Sequence, residues 1–190
     1  MDRRSLLRRA AAGIVLAACG STTGSAATQR PASPTIGGTK TTTPTSNTGA
    51  KATKATVELA KGGSFTFTLR ADKAPQTVER FAGKARSGFY DNLTFHRVED
   101  WVVQGGDPKG TGTGGERVPS EYNDLNFAVG AVGIARGQDP AFNNDSQFFV
   151  CKKDASFLDK QYTNFGMVTS GMDVVQGIKI GDKIKRIAIE

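Results

Sequence analysis

The stretch Phe95-His96-Arg97-Val98-Glu99-Asp100-Trp101-Val102-Val103-Gln104-Gly105-Gly106-Asp107 decides the fold of this chain. It contains two short segments, 94–98 and 102–104, whose aromatic and β-branched residues are typical of β-strands. Arg97 and Gln104 stand among these apolar neighbours. Taken alone, each has an ordinary explanation, because most charged and amide side chains lie at the protein surface. Whether Arg97 and Gln104 have a functional role must therefore be decided from the rest of the sequence.

Regular alternation on the N-terminal side predicts a β-hairpin. Phe65, Phe67 and Leu69 alternate with polar residues, and a glycine-containing turn at 61–63 separates them from an apolar segment at 57–59. Many short strands, glycine turns and few helices together favour a closed β-barrel or a β-sandwich. Further strands are predicted at 132–135, 147–151, 165–168 and 184–189.

A helix is predicted over residues 75–87. Pro75 suits the first turn of a helix, and Gly88 suits its end. Between them, apolar residues recur at the helical spacing and form one stripe, which comprises Val78, Phe81, Ala82 and Ala85.

The formal net charge of +7 first suggests an acidic partner such as nucleic acid. Residues 1–54, however, contain eight Lys and Arg against one Asp, whereas the remainder has 17 of each sign. A nucleic-acid-binding domain needs a basic stripe on its folded part. We therefore expect no nucleic-acid partner. The 190 residues suit one domain of about 100–150 residues with an extension.

Residues 1–19 have the organisation of an export signal. A basic segment precedes the apolar run 10–18, which is shorter than the roughly 20 residues that a membrane span requires. Leu16-Ala17-Ala18-Cys19 resembles a bacterial lipobox, which predicts a lipid on Cys19, with ordinary cleavage as the alternative. Arg3-Arg4 resembles a twin-arginine signal, and general secretion remains the alternative. We expect an exported, extracytoplasmic lipoprotein anchored in a membrane.

Residues 20–54 form a low-complexity segment before a domain at 55–190. Thr, Ser, Gly, Ala and Pro account for 28 of its 35 residues, and Ile36 is its only large aliphatic residue. Such a segment cannot bury enough apolar surface to offset its ordering entropy. We expect a disordered linker that spans about 30–35 Å.

Residues 95–107, followed by Ser146-Gln147-Phe148-Phe149 and Phe157-Leu158-Asp159, resemble the cyclophilin family of peptidyl-prolyl isomerases. The resemblance extends from about residue 57 to residue 190. It implies a closed eight-stranded antiparallel β-barrel capped by two helices, the second near 172–178. It also implies an enzyme that uses no cofactor or metal, acts as a monomer and binds unfolded or flexible proline-containing polypeptides.

The resemblance also assigns roles to individual residues. Arg97 matches the family's catalytic arginine, and Gln104 matches its carbonyl-binding glutamine. The remaining matches are to the substrate-binding surface: Trp101, Val102, Phe149 and Leu158 in the wall of the proline pocket, Phe157 and Tyr162 at its rim, and Ala135 and Gln147 beside the substrate backbone.

The chemistry of proline isomerisation explains these residue types. Rotation about an Xaa-Pro amide has a barrier of about 18–20 kcal/mol, because resonance is lost as the bond twists. The twisted prolyl nitrogen regains its lone pair, and a guanidinium that donates to it stabilises the twisted state selectively. His96 adjoins Arg97 on a predicted strand, so we expect its side chain to face the opposite way and to have a structural role.

Several positions depart from the family pattern. Trp101 stands where a phenylalanine is usual, and Arg136 where an asparagine is frequent. Phe157 replaces a tryptophan that contacts the drug cyclosporin, which predicts weakened inhibition. Two alternatives to the enzyme are a proline-peptide-binding module or holdase chaperone without turnover, and a purely structural surface lipoprotein.

Overall fold

A computed structural model describes residues 51–190, and these residues form nine β-strands and two α-helices. The predicted export signal, including Cys19, lies outside the described residues, as does the predicted linker apart from residues 51–54. In chain order the elements are β1 Lys54–Leu59, β2 Ser64–Leu69, α1 Pro75–Arg86, β3 Phe95–Val98, β4 Val102–Gly105, β5 Arg117–Pro119, β6 Ala131–Arg136, β7 Phe142–Cys151, β8 Asn164–Ser170, α2 Met172–Gln176 and β9 Ile184–Ile189.

All nine strands belong to one antiparallel sheet that curls around the core. The strand order is β3-β4-β7-β6-β8-β2-β1-β9, and β5 pairs with the N-terminal part of β7. Every strand predicted from the sequence is present, and β5 is the one that the sequence does not predict. This strand has only three residues and ends in proline, so it carries no alternation that a sequence pattern could show.

The sheet is open, which corrects the predicted closed barrel of eight strands. In the part of the chain that the structure describes, the edge strands β3 and β9 are joined by no continuous ladder. A single antiparallel bridge links Thr94 to Lys183, and the Phe95 N–H donates to the Asp182 carbonyl at 2.9 Å. The loop before β9, rather than β9 itself, lies against the start of β3. The fold is therefore a curled antiparallel sheet with two helices.

The helix α1 covers one opening of this sheet with the predicted apolar stripe. Phe81 of α1 is buried, and its ring centroid lies 5.2–5.7 Å from those of Phe67, Tyr90, Phe148 and Phe165. The helix ends at Arg86, one residue before the prediction, and Gly88 follows with a positive φ of 74°. Among residues 51–190, no helix has the length and apolar character needed to cross a membrane.

A distant carboxylate holds the start of α1. Glu121 accepts hydrogen bonds from the backbone N–H groups of Gln76 and Thr77, at 3.0 and 2.7 Å. The first N–H groups of a helix have no partner within the helix, and an acidic side chain there also complements the helix dipole. Glu121 therefore fixes α1 against the segment that follows β5.

Candidate active site

Alternation along β7 separates the core of the sheet from a second apolar cluster. Phe148 is fully buried in the main core, whereas its neighbour Phe149 points to the other face. There Phe149 packs with a small set of buried residues, and the side chains of Trp101 and Tyr162 lie partly exposed against them. The buried members of this second cluster are Val102, Phe127, Ala131, Phe149, Cys151, Ala155 and Leu158.

A cavity of about 540 Å³ opens beside this second cluster. Nine of the ten predicted catalytic and substrate-binding residues line it; the tenth, Gln147, lies in an adjoining recess. His96, Thr111, Gly112 and Arg136 line the cavity as well and were not predicted as site residues. The nine predicted residues are Arg97, Trp101, Val102, Gln104, Ala135, Phe149, Phe157, Leu158 and Tyr162.

The prediction that His96 faces away from the cavity is wrong. Phe95 pairs with Gly105 and Arg97 pairs with Gln104, so β3 contains one extra residue at His96. Such a β-bulge interrupts strict alternation and lets two successive side chains face the same region. Burial lowers the pKa of His96, and its Nδ1 atom is buried without a hydrogen-bond partner in residues 51–190.

The guanidinium of Arg97 is held at the rim of the cavity by two polar partners and one aromatic ring. Its Nε donates to Glu99 Oε1 at 2.7 Å, and its Nη1 donates to Gln104 Oε1 at 3.4 Å. The guanidinium carbon lies 5.4 Å from the centroid of the Trp101 ring. Within the described residues, Nη2 makes no hydrogen bond.

A series of amide hydrogen bonds continues from Arg97 into the protein. Gln104 Nε2 donates to Gln147 Oε1 at 3.0 Å, and Gln147 Nε2 donates to the Gly114 carbonyl at 2.8 Å. Gln147 is 2% exposed, and its backbone N–H donates to Asn144 Oδ1. The order of donors and acceptors fixes the orientation of both amides: the carbonyl oxygen of Gln104 faces Arg97, and its NH₂ group retains one free hydrogen.

Aromatic rings form the apolar wall and rim. The Phe149 ring stacks on Phe127 at 5.6 Å and meets Tyr162 edge-on at 6.0 Å, while Trp101 meets Phe157 edge-on at 5.1 Å. The rim position of Phe157 leaves 59% of its surface exposed. A 3₁₀ turn, Ser156–Leu158, presents Phe157 and the buried Leu158 together.

Gly133 allows the central ring of this wall to lie directly against β6. A Cβ atom there would overlap both Phe149 and Phe127, so only glycine leaves room for the two stacked rings. On the other side of the cavity, Arg136 lies over Tyr162, with 4.5 Å between guanidinium carbon and ring centroid, and donates to the Gln161 carbonyl. Arg136 is thereby directed toward the rim.

A buried carboxylate shapes the loop beside His96. Asp107 accepts backbone hydrogen bonds from Lys109, Thr111 and Gly112. Burial alone would raise the pKa of Asp107, but the three N–H donors outweigh it and hold the pKa below its usual value. Asp107 thus serves a turn, and this turn carries Thr111 and Gly112 to the cavity.

The titratable groups near the cavity offer no activated nucleophile. Burial raises the pKa of Cys151 to about 12, so this thiol remains protonated and acts as a small apolar side chain. The hydrogen bond from Arg97 holds the pKa of Glu99 below its usual value. What the cavity presents is an apolar surface with oriented N–H donors at one edge, which suits binding and electrostatic stabilisation.

A second recess of about 460 Å³ adjoins the cavity and shares Gln104, Gly112, Ala135 and Arg136 with it. Its far side carries an ion pair between Arg117 and Asp139 at 2.6 Å.

Comparisons with known proteins agree with this geometry. Residues 54–189 match the family described as cyclophilin type peptidyl-prolyl cis-trans isomerase/CLD. The chain is similar to peptidyl-prolyl cis-trans isomerase B of Bacillus subtilis, with 39% identity over 138 residues that cover 70% of this chain and 94% of that protein. It is also similar to a peptidyl-prolyl cis-trans isomerase of Helicobacter pylori, with 40% identity over 146 residues, 73% of this chain and 87% of that protein.

Solved structures give the same result for the fold. A cyclophilin type peptidyl-prolyl cis-trans isomerase of Cryptosporidium parvum superposes with a TM-score of 0.67 at 26% identity, covering 74% of this chain and 98% of that one. A second structure of that protein, in the presence of the dipeptide Ala-Pro, gives a TM-score of 0.66 at 26% identity, covering 72% and 98%. With its curled antiparallel sheet, its apolar cavity edged by Arg97 and Gln104, and these matches, the chain belongs to the cyclophilin family and is a peptidyl-prolyl cis-trans isomerase.

Proposed function

We propose that this isomerase accelerates the folding of unfolded or flexible proline-containing proteins outside the cytoplasm, and that Arg97 stabilises the twisted amide. The observation that carries the proposal is the guanidinium of Arg97 at the edge of an apolar cavity, with Nη2 unengaged. The proline ring would contact Phe149, Val102 and Leu158, a surface without competing polar groups.

In the proposed mechanism no bond is made or broken. As the Xaa-Pro amide twists, the prolyl nitrogen becomes pyramidal and its lone pair accepts a hydrogen bond from Arg97. The remaining N–H of Gln104 donates to a substrate carbonyl, since its other N–H is committed to Gln147. Acceleration from about 10⁻² to about 10³ s⁻¹ requires about 7 kcal/mol of selective stabilisation. One charge-assisted contact supplies part of it, and fixed positioning supplies more.

The presence of an Ala-Pro dipeptide with the Cryptosporidium parvum relative supports a proline-peptide ligand for this chain too.

Substitution of Arg97 tests the proposed mechanism. We expect Arg97→Ala to lower kcat/KM on a Xaa-Pro peptide by about 10²–10³-fold, the loss typical of removing one donor to a transition state. The stability of the fold should change little, because the side chain of Arg97 is 44% exposed. A protease-coupled assay and NMR exchange give the rate, and urea unfolding gives the control. Equal rates in wild type and variant would refute the role of Arg97, and binding without turnover in the wild type would favour a holdase.

We propose separately that the chain is exported and anchored in a membrane through a lipid on Cys19. The sequence features of residues 1–19 support this, and the first strand begins at Lys54, well after them. Mass spectrometry of the membrane fraction should find a modified Cys19 at the mature N-terminus. Cys19→Ala should release the protein, whereas Cys151→Ala should leave it membrane-bound because Cys151 is buried in the domain. An unmodified protein that begins at Met1 would contradict the proposal.

A further inference from the structure

One carboxylate connects the proposed catalytic arginine to the aromatic rim. Glu99 Oε1 accepts from Arg97 Nε at 2.7 Å, and Glu99 Oε2 accepts from Trp101 Nε1 at 2.9 Å. Both oxygens of the carboxylate are therefore used, each by a side chain that lines the cavity. Glu99 itself does not line the cavity, so it acts on the site only through these two neighbours.

The backbone around Glu99 is fixed from two directions. The Glu99 N–H donates to the Val102 carbonyl at 2.8 Å, which closes the turn between β3 and β4. From the segment after β7, Lys152 donates through Nζ to the Glu99 carbonyl at 3.0 Å and through its backbone N–H to the Trp101 carbonyl at 2.7 Å. The carboxylate therefore extends from an anchored turn, and its position does not depend on a free loop.

Without Glu99, little would orient the guanidinium of Arg97. Its remaining contacts are the long 3.4 Å hydrogen bond to Gln104 and the 5.4 Å approach to the Trp101 ring. A free arginine side chain has considerable rotamer entropy, and any part not lost in advance is lost when the transition state forms. A short hydrogen bond at Nε fixes the plane of the guanidinium and leaves its Nη atoms available.

We propose that Glu99 is a positioning residue for proline isomerisation, which holds the Arg97 guanidinium and the Trp101 indole in the arrangement that meets the twisted amide. This inference rests on the proposed role of Arg97. The proposed role does not require Glu99 to contact the substrate.

Glu99 has two opposing effects on the stabilisation of the twisted amide by Arg97. A carboxylate close to Arg97 reduces the positive potential that the amide nitrogen would meet. The contact is made at Nε, which is next to Nη2 on the same edge of the guanidinium, but Glu99 is 45% exposed, so solvent screens its charge. Positioning is therefore the larger effect. For the same reason the ion pair contributes little to stability, so the role of Glu99 appears in turnover.

The test compares Glu99→Gln with Asp100→Asn. Glutamine keeps the size of the side chain but has an NH₂ donor in place of one carboxylate oxygen, so either Arg97 or Trp101 loses its acceptor at that position. Asp100 is the matched control, because it lies in the same turn, loses the same charge and is 92% exposed with a single contact to Lys153. NMR exchange on a Xaa-Pro peptide should show turnover lowered about fivefold to tenfold in Glu99→Gln with peptide affinity within twofold, and no change in Asp100→Asn.

The emission of Trp101 gives a second readout, since it is the only tryptophan in the chain. Glu99→Gln should shift this emission because the indole loses its charged acceptor, and Asp100→Asn should not. In an Arg97→Ala background, Glu99→Gln should cause a smaller further loss of turnover, because only its effect through Trp101 remains. A loss of equal size in that background would show a general structural role and overturn the inference.

Two results separate this inference from the proposed mechanism. If Arg97→Ala is inactive while Glu99→Gln turns over like the wild type, Glu99 does not position Arg97 and the mechanism stands. If Arg97→Ala keeps the full rate, the mechanism itself fails, and the inference fails with it.

Discussion

Phe148 and Phe149 are adjacent on β7, yet they belong to different regions of the molecule. The Phe148 ring is fully buried and meets Phe81 and Tyr90 edge-on, at 5.6 and 5.8 Å. The Phe149 ring is 4% exposed and forms the floor of the candidate active site. One step along a strand thus separates a residue of the main core from one that lines the candidate active site.

The two regions also differ in the polar groups that they contain. Among the rings of the main core, the Tyr90 hydroxyl donates to the Ser146 carbonyl at 3.2 Å. The site side instead brings Arg97, Gln104 and Gln147 to the edge of an apolar surface. Such groups must be oriented by further hydrogen bonds, because a buried polar group without partners costs free energy. Substitutions in the two regions should therefore affect different measured quantities.

The sharpest test of this division replaces each phenylalanine in turn. Phe148→Ala should lower the free energy of unfolding by about 3–5 kcal/mol, because it leaves a cavity among packed rings. Phe149→Ala should cost less stability, since its ring already borders an open cavity, but should lower kcat/KM at least about tenfold. Urea unfolding and the isomerase assay measure the two effects.

A milder substitution keeps this test valid if Phe148→Ala does not fold. Phe148→Leu should still lower the unfolding midpoint while leaving kcat/KM near the wild-type value. Equal losses of stability at positions 148 and 149, or a larger loss of activity at 148, would show that the two faces of β7 are not separated in function.

The hydrogen-bond series at Gln147 supports the site side, and its removal should have the next largest effect. Gln147→Leu leaves Gln104 without its acceptor and the Gly114 carbonyl without its donor, so we expect a loss of about 1–3 kcal/mol in stability. The activity should also fall because the Gln104 amide is free to rotate. Gln138→Leu, at an exposed position in the adjoining recess, is the control and should leave both quantities unchanged. Unchanged turnover in Gln147→Leu would mean that Gln104 needs no such support.

Much of this division could be predicted from the sequence. The alternation of Phe65 and Phe67 and the apolar stripe on α1 identify the core faces without knowledge of the fold. The motifs around Arg97 and Gln147 predict which residues form the site. Hydrophobic periodicity cannot do so, because it does not relate positions 50 residues apart. The prediction of the site therefore depends on resemblance to a family, whereas the prediction of the core depends on the local pattern of apolar residues.

The unpredicted features depend on geometry between strands and between side chains. The β-bulge at His96 is a register shift of one residue, which only the pairing with Gly105 and Gln104 reveals. The bridge from Glu99 to Arg97 and Trp101 requires three side-chain orientations at once, and a sequence of charged and aromatic residues does not specify them. The closed barrel was wrong because a single bridge, and no ladder, joins its two edges.

Substitutions at the outer rim of the site should have a smaller effect on turnover. Phe157 is 59% exposed and offers no N–H donor, which predicts weak inhibition by cyclosporin. Phe157→Trp should strengthen inhibition about tenfold, the value of one added hydrogen bond, while turnover of a Xaa-Pro peptide stays within twofold. Tight, stoichiometric inhibition of the wild type in a cyclosporin titration would contradict this expectation.

The smallest expected effect concerns His96, which the β-bulge brings to the site side. Burial lowers the pKa of His96, and the nearby charge of Arg97 adds to this while Asp107 opposes it. The unfolded chain therefore takes up a proton near pH 6.5, before the folded chain does. The free energy of unfolding should be constant above that pH and should fall as the pH decreases from about 6.5 toward 5, by at most about 1.4 kcal/mol per pH unit.

His96→Gln should remove this slope, since His96 is the only histidine of the chain and the carboxylates with lowered pKa values titrate at lower pH. Urea unfolding at pH 7, 6 and 5.5 measures it in both proteins. A wild type that becomes more stable on acidification, or a slope that persists in His96→Gln, would place the titrating group elsewhere. The expected slope follows from the same contrast as the two phenylalanines: the site side keeps a polar ring with an unsatisfied Nδ1 atom, which the main core does not contain.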